Sequence, residues 1–118
     1  MIATTALAIL LAVVFLGAGA SMVMAVDAQR ANAAHLGYSV SAFRRIGAAA
    51  TLGALGVLLG LAYPPVGLAA ATGLVALMVG AIISHVRVRD RFHHLIPPVA
   101  TGAASIAYLI LIGQQALS

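Results

Sequence analysis

Residues 84–94 read Ser-His-Val-Arg-Val-Arg-Asp-Arg-Phe-His-His and hold three of the chain's six arginines, three of its four histidines and one of its two acids. Histidine titrates near pH ~6.5 as a residue type, so His85 is the candidate proton donor or acceptor, or the hydrogen-bond partner of a ligand's polar head. The plainer role is an interfacial imidazole bonded to a backbone carbonyl or to lipid. Arg87, with Arg89 and Arg91, offers an anion site or a contact for a partner protein; the plainer role is snorkelling to headgroups. Asp90 is expected to pair with a neighbouring arginine, a surface contact of ~0–1 kcal/mol. Ser84 and Arg45 complete the ligand-binding set of Arg87, Asp90, Arg45 and Ser84 around His85. No metal is expected. Adjacent His93 and His94 do not readily converge on one ion, and their spacing from His85 and His35 matches no zinc pattern.

The rest of the chain is apolar. Hydrophobic residues make up 64% and charged residues 7%, with a mean hydropathy of +1.15. Soluble domains carry about 25% charged residues, and a chain of this size could not hide so much apolar surface from water. Lipid is therefore its solvent. With no cysteine, disulfides, thiolate metal sites and cysteine nucleophiles are excluded. The formal charge of +4 comes from arginine alone. It is too sparse and localised for nucleic-acid binding, and suits a topology signal and contact with anionic headgroups. There is no glycine-rich phosphate loop and no haem motif. No span carries a charge at mid-depth, which argues against a small proton-coupled exporter.

Four spans position the polar residues. Residues 3–26 are uncharged; without a basic leader, and longer than a ~7–15 residue signal core, they read as a transmembrane helix rather than a cleaved signal. Gly17, Gly19, Ala20 and Ser21 suit close approach of a neighbour. The polar segment from Asp27 is expected to continue this helix, with Asp27 and Arg30 paired three residues apart. Gly37 is the expected stop and Ser39 or Ser41 the next cap. The second span, residues 42–62, contains Gly56-Val57-Leu58-Leu59-Gly60, a packing motif of membrane helices. Tyr63-Pro64-Pro65 ends it. The third span, residues 66–86, carries Thr72, Ala76, Gly80 and Ser84 every fourth residue, an expected packing seam. The fourth, residues 96–115, opens on Pro97-Pro98 and aligns Thr101, Ser105, Tyr108 and Ile112. The expectation is a single all-α integral membrane domain, an antiparallel four-helix transmembrane bundle. All six arginines lie in the segments between spans one and two and between spans three and four. The positive-inside rule puts residues 27–45 and 87–94 in the cytoplasm and both termini outside the plasma (inner) membrane.

Three phrases, ordered along the chain, resemble the DoxX-like family of the DoxX/DoxD superfamily of small bacterial membrane proteins. They are His35-Leu36-Gly37-Tyr38-Ser39 with Phe43-Arg44-Arg45-Ile46-Gly47; Leu52-Gly53-Ala54-Leu55-Gly56-Val57-Leu58-Leu59-Gly60; and Gly67-Leu68-Ala69-Ala70-Ala71-Thr72-Gly73 running to Gly80-Ala81-Ile82-Ile83-Ser84-His85-Val86-Arg87 and Asp90. The resemblance implies a four-helix membrane protein. Some relatives belong to oxidoreductase systems, such as the membrane component of a thiosulfate:quinone oxidoreductase, so a quinone is the cofactor it implies. Two positions depart from the pattern. Many relatives carry a glutamate between two glycines of the second helix, where this chain has Ala50; many carry a lysine near the end of the first, where Ser21-Met22 stand.

Three readings remain open on the sequence. One is a membrane component of an oxidoreductase system, with a redox partner protein and a quinone or similar lipophilic ligand near His85. Another is a small membrane enzyme of isomerase, hydrolase or cyclase type, with His85 as acid/base. The third is a structural or assembly protein without chemistry. The glycine faces also allow a homodimer.

Overall fold

A computed structural model describes residues 2–118 of the chain. In order they form α1 (Ile2–Val23), a short α2 (Asp27–Leu36), α3 (Val40–Leu59), α4 (Pro64–Arg87), a 3-10 turn (Phe92–Leu95) and α5 (Ile96–Leu117). There is no strand among the described residues. The spans at α1, α3, α4 and α5 are each long and apolar enough to cross a membrane. The bundle measures 44 × 27 × 18 Å, so its long axis exceeds a ~30 Å hydrocarbon core and leaves polar ends beyond it. The protein is a multi-pass, all-α membrane bundle.

Helix order around the bundle is α1, α3, α4, α5, each packed antiparallel to the next, with α5 closing back on α1. Lipid gives no hydrophobic drive for helix association, so backbones must approach closely to gain dispersion energy. Glycine provides that approach at two crossings. A Cβ on Gly47 of α3 would lie 2.8 Å from the Gly19 carbonyl oxygen of α1. A Cβ on Gly67 of α4 would lie 3.0 Å from the Gly60 Cα and 2.5 Å from the Tyr108 hydroxyl. The Gly56 and Gly60 pair of α3 thus serves the α3–α4 hairpin, with Gly56 facing Ala70. The core behind these contacts joins Ala8, Leu11 and Phe15 of α1, Ala50, Ala54 and Val57 of α3, Ala71 and Leu74 of α4, and Tyr108 and Ile112 of α5. Tyr108 donates to the Val57 carbonyl at 2.7 Å. That carbonyl lies in the last turn of α3, where intrahelical partners run out, so the phenol caps the helix from a neighbour.

The expected seam of Thr72, Ala76, Gly80 and Ser84 is not an internal one. Thr72, Ala76 and Gly80 face outward, and only Ser84 is buried. A Cβ on Gly80 would meet nothing within 4 Å. The inward face of α4 is instead the Gly67, Ala71 and Leu74 stripe.

Three helices finish at the end of the bundle that carries the arginines, here the basic end, and all three finish alike. Val26 N–H bonds the Ser21 carbonyl at 3.2 Å, Tyr38 N–H bonds Ala33 at 2.8 Å, and Asp90 N–H bonds His85 at 3.0 Å. Each six-residue closure is completed by a shorter one, from Ala25 to Met22, Gly37 to Ala34 and Arg89 to Val86. This is the Schellman arrangement, which turns on a left-handed residue. The pivots are Ala25 (φ 52°), Gly37 (φ 84°) and Arg89 (φ 56°). Gly37 fits the expected stop; Ala25 and Arg89 take a conformation that costs an L-residue ~1–2 kcal/mol.

The pivot at Ala25 corrects the expectation of a helix running through Val26 into the polar segment. α1 stops at Val23, and α2 is a separate helix laid across the basic end. Arg30 does not pair with Asp27. Its Nε donates to the Ala25 carbonyl at 2.9 Å, satisfying an acceptor that the turn leaves free. Ser39 caps α3, its hydroxyl accepting from Ala42 N–H at 3.0 Å. α4 begins on Pro64 itself, because proline's missing N–H is no loss in a first turn.

Candidate functional site

A second apolar cluster fastens the basic end together. Ala33 and Leu36 of α2 and Phe43 of α3 are buried, with Met22, Tyr38, Ile46 and Val88 packed around them. It brings the end of α2 against the end of α4, which sequence distance alone would not suggest.

Two side-chain bonds cross this junction. Ser84, buried in the last turns of α4, donates to its own Gly80 carbonyl at 2.8 Å. Its proton being used there, the Ser84 oxygen accepts from the Tyr38 hydroxyl at 2.7 Å. Arg87, one turn on, holds its guanidinium 6.0 Å from the centroid of the same Tyr38 ring, at the outer range of a cation–π contact. Ser84 and Arg87 therefore grip one aromatic ring from i and i+3 of a single helix face.

The other crossing is at Asp90. His85 Nδ1 donates to Oδ2 at 2.5 Å, and His35 Nε2 donates to Oδ1 at 2.6 Å. One carboxylate bridges two imidazoles, one per oxygen. The Schellman turn at Arg89 makes this local geometry: it folds Asp90 back so that its backbone N–H meets the His85 carbonyl and its side chain the His85 ring. The Asp90 side chain is 9% exposed, His85 22% and His35 56%. The row thus runs from a water-facing ring, through a covered carboxylate, to a half-buried ring at the end of a membrane span. The His85 hydrogen bond, and after it the His35 one, hold the Asp90 carboxyl below the ordinary aspartate value.

The expected pairing of Asp90 with an arginine is therefore wrong. Both ion pairs among the described residues join Asp90 to a histidine. The turn that brings Asp90 back over His85 leaves Arg89 and Arg91 exposed. Arg45 is exposed on α3 and forms no ion pair with Asp90. Of the residues singled out, His85 and Asp90 are in direct contact, Ser84 and Arg87 meet Tyr38 on the same helix end, and Arg45 stands apart. His93 and His94 extend the imidazole row: His94 stacks on His85 with centroids 6.3 Å apart, and His93 lies 4.3 Å from His94. All four histidines share this end. His35, weighed in the sequence only as a metal ligand, and Tyr38 are the residues of the site to which the sequence reading gave no part in it. The signal was their place beside Gly37, the stop that ends α2 next to α4.

In chemical terms this is an oriented acid–base pair. A carboxylate on Nδ1–H fixes the tautomer and leaves Nε2 with its lone pair. Nε2 of His85 makes no hydrogen bond among the described residues. The arrangement can accept a proton at Nε2 and stabilise the imidazolium that forms.

The sequence profile of the DoxX-like family matches residues 6–108, from the first span into the fourth. The chain belongs to the DoxX-like family. No curated protein and no solved structure matches it. Ala50, the position at which the resemblance implied a glutamate, is 5% exposed in the main core with Ala8, Leu11 and Phe15. That core holds no charged residue and no histidine; these gather at the basic end.

Proposed function

We propose that this DoxX-like protein is a membrane component of an oxidoreductase system, and that it holds the head of a quinone or similar lipophilic ligand at His85. The observation that carries the reading is Asp90 bridging His35 and His85. His85, at the end of a membrane span, keeps its Nε2 without a hydrogen-bond partner among the described residues. Ile83 and Val86, 58% and 56% exposed beside it, offer lipid-facing flanks for an apolar tail. In its imidazolium form, with Nε2–H donating, His85 fits the carbonyl oxygen of a quinone.

When bound, a quinone takes up two electrons, here from a partner dehydrogenase, and two protons. His85, once protonated from water at Nε2, would donate one proton at a time from that atom while its Nδ1–H stays on Asp90, and would be reprotonated from water between the two transfers. The Asp90 carboxylate stabilises the charged ring. His35, more than half exposed, is the point where water can exchange protons with the same carboxylate. The basic end then lies on the cytoplasmic side of the plasma membrane, with both termini outside. A C-terminal reporter active only in the cytoplasm would contradict that orientation. A second copy of the chain fits the outward face of α4, where Gly73 and Gly80 have no neighbour.

The test is native mass spectrometry of wild type and His85→Ala, drawn gently from native membranes into nanodiscs. Wild type is expected to hold a stoichiometric quinone that the variant loses. Bulk lipid alone in both would overturn the reading. The Asp90–His85 pair also favours a second reading, a membrane enzyme with His85 as general base on a lipophilic substrate. Turnover retained in His85→Ala would exclude it.

A further inference from the structure

Away from the histidines, α1 and α3 touch backbone to backbone at Gly19 and Gly47. On the lipid side of that crossing lies an open groove of about 490 Å³, lined by Ala20, Val23, Met24, Ala48, Thr51 and Leu52. Ligand recesses fall in the range ~300–1,000 Å³. The groove is apolar in effect: its one hydroxyl, Thr51, already donates to the Gly47 carbonyl at 2.9 Å. Met24 and Leu52 are 72% and 69% exposed, so it is open at the outer surface of the bundle.

Arg44 lies on α3 one turn beyond the groove's lining residue Ala48, toward the basic end. Arg44, Ala48 and Leu52 sit at i, i+4 and i+8 of α3, one stripe of one helix. Helical side chains lean toward the N-terminus, which for α3 is the basic end. At 1.5 Å per residue, Arg44 is about 6 Å nearer that end than Ala48. Its charge has no ion-pair partner among the described residues. Asp90 is engaged by two histidines, and Asp27 forms no ion pair among the described residues. The neighbouring Arg45 is equally unpaired and exposed. A cation above an apolar, laterally open groove is complementary to one kind of molecule, an amphiphile with an anionic head.

We infer that the α1–α3 groove and Arg44 together bind an anionic phospholipid, its acyl chain along Ala20, Ala48 and Leu52 and its phosphate on Arg44. The site is separate from His85, and its occupancy does not depend on the function proposed above.

The experiment is native mass spectrometry of the full chain in detergent, titrated with phosphatidylglycerol or with phosphatidylcholine of the same acyl chains. Wild type, Arg44→Gln, Ala48→Trp and Arg91→Gln are compared. Wild type is expected to retain one phosphatidylglycerol in preference to phosphatidylcholine. Arg44→Gln should weaken phosphatidylglycerol about fivefold, the factor expected for one arginine at an anionic surface. Ala48→Trp, which fills the groove, should lower retention of both lipids. Arg91→Gln removes the same charge elsewhere on the basic end and should change binding by less than about twofold. Equal retention of the two lipids by wild type, or unchanged binding in Arg44→Gln, overturns the inference. So does an equal loss in Arg91→Gln, which would mean a diffuse basic collar. Should Ala48→Trp fail to fold, Arg44→Gln, an exposed substitution, decides the matter alone.

Discussion

Asp90 and His35 are 55 residues apart in the chain and 2.6 Å apart in the fold. That contact, with the one from Asp90 to His85, makes a single carboxylate the joint between α2 and α4. It gives the acid a use that no neighbouring arginine supplies, and its consequences can be measured.

The first is a pH dependence of stability. Hydrogen bonds from His85, and then from His35, lower the folded-state pKa of Asp90. A lowered carboxyl pKa contributes stability in full above the unfolded value of about 3.9 and loses it as pH falls through the folded value. Thermal unfolding in detergent should therefore place wild type above Asp90→Asn at pH 6. The two should converge as the pH is taken below about 4. Equal midpoints at pH 6 would mean that the bridge contributes nothing.

Tyr108 makes a second prediction at the opposite end of α3. Tyr108→Phe keeps the ring but leaves the buried Val57 carbonyl without its 2.7 Å donor. An unsatisfied buried acceptor costs about 1–3 kcal/mol, which a denaturant titration of the purified protein would resolve.

Glycines that look alike in the sequence should behave differently. Gly47→Val would drive a side chain into the Met22 Cβ and the Gly19 carbonyl. Overpacking of that kind costs about 1–3 kcal/mol, or more where backbone must move. Gly80→Ala meets nothing within 4 Å and should stabilise α4 by about 0.5–1 kcal/mol, the helix advantage of alanine. The paired unfolding measurements separate the glycine packed within the bundle from the outward-facing one.

Arg89 is the pivot that folds Asp90 back onto His85, with φ 56°. Glycine adopts that conformation without the ~1–2 kcal/mol penalty, though it gains freedom in the unfolded chain. Arg89→Gly should raise stability by roughly 0.5–1 kcal/mol once that freedom is subtracted. It should also leave the histidine ¹⁵N shifts unchanged. Arg89→Pro, which removes the N–H that bonds Val86, should disturb both.

The bundle was legible because lipid imposes simple rules. Long uncharged runs must be helices, and Tyr63-Pro64-Pro65 and Gly37 end them for local reasons. Ser105 and Tyr108 fell on the buried face by spacing alone. The joint was not legible. Ala25 and Arg89 carry no turn signature in their residue types, so the stop of α1 and the return of Asp90 were hidden. A rule of nearest charges paired Asp90 with arginine and Asp27 with Arg30. In the fold, Asp90 takes the two imidazoles and Arg30 the Ala25 carbonyl, because tertiary packing of Leu36, Phe43 and Val88 decides which groups meet. The small-residue stripe of α4 reads as a packing seam, but its spacing cannot say which neighbour, lipid or helix, it faces.

The most direct test of the proposed role is equilibrium binding of a short-tailed quinone to the protein in nanodiscs free of native quinone, followed by fluorescence. Wild type should bind saturably. His85→Ala should weaken binding about tenfold, the loss of one good hydrogen bond worth ~1.4 kcal/mol, while His35→Ala, farther from the ligand, should stay within about twofold. If wild type takes up no more quinone than protein-free nanodiscs, or if His85→Ala binds as wild type does, His85 is not the ligand's partner and the account fails at its centre.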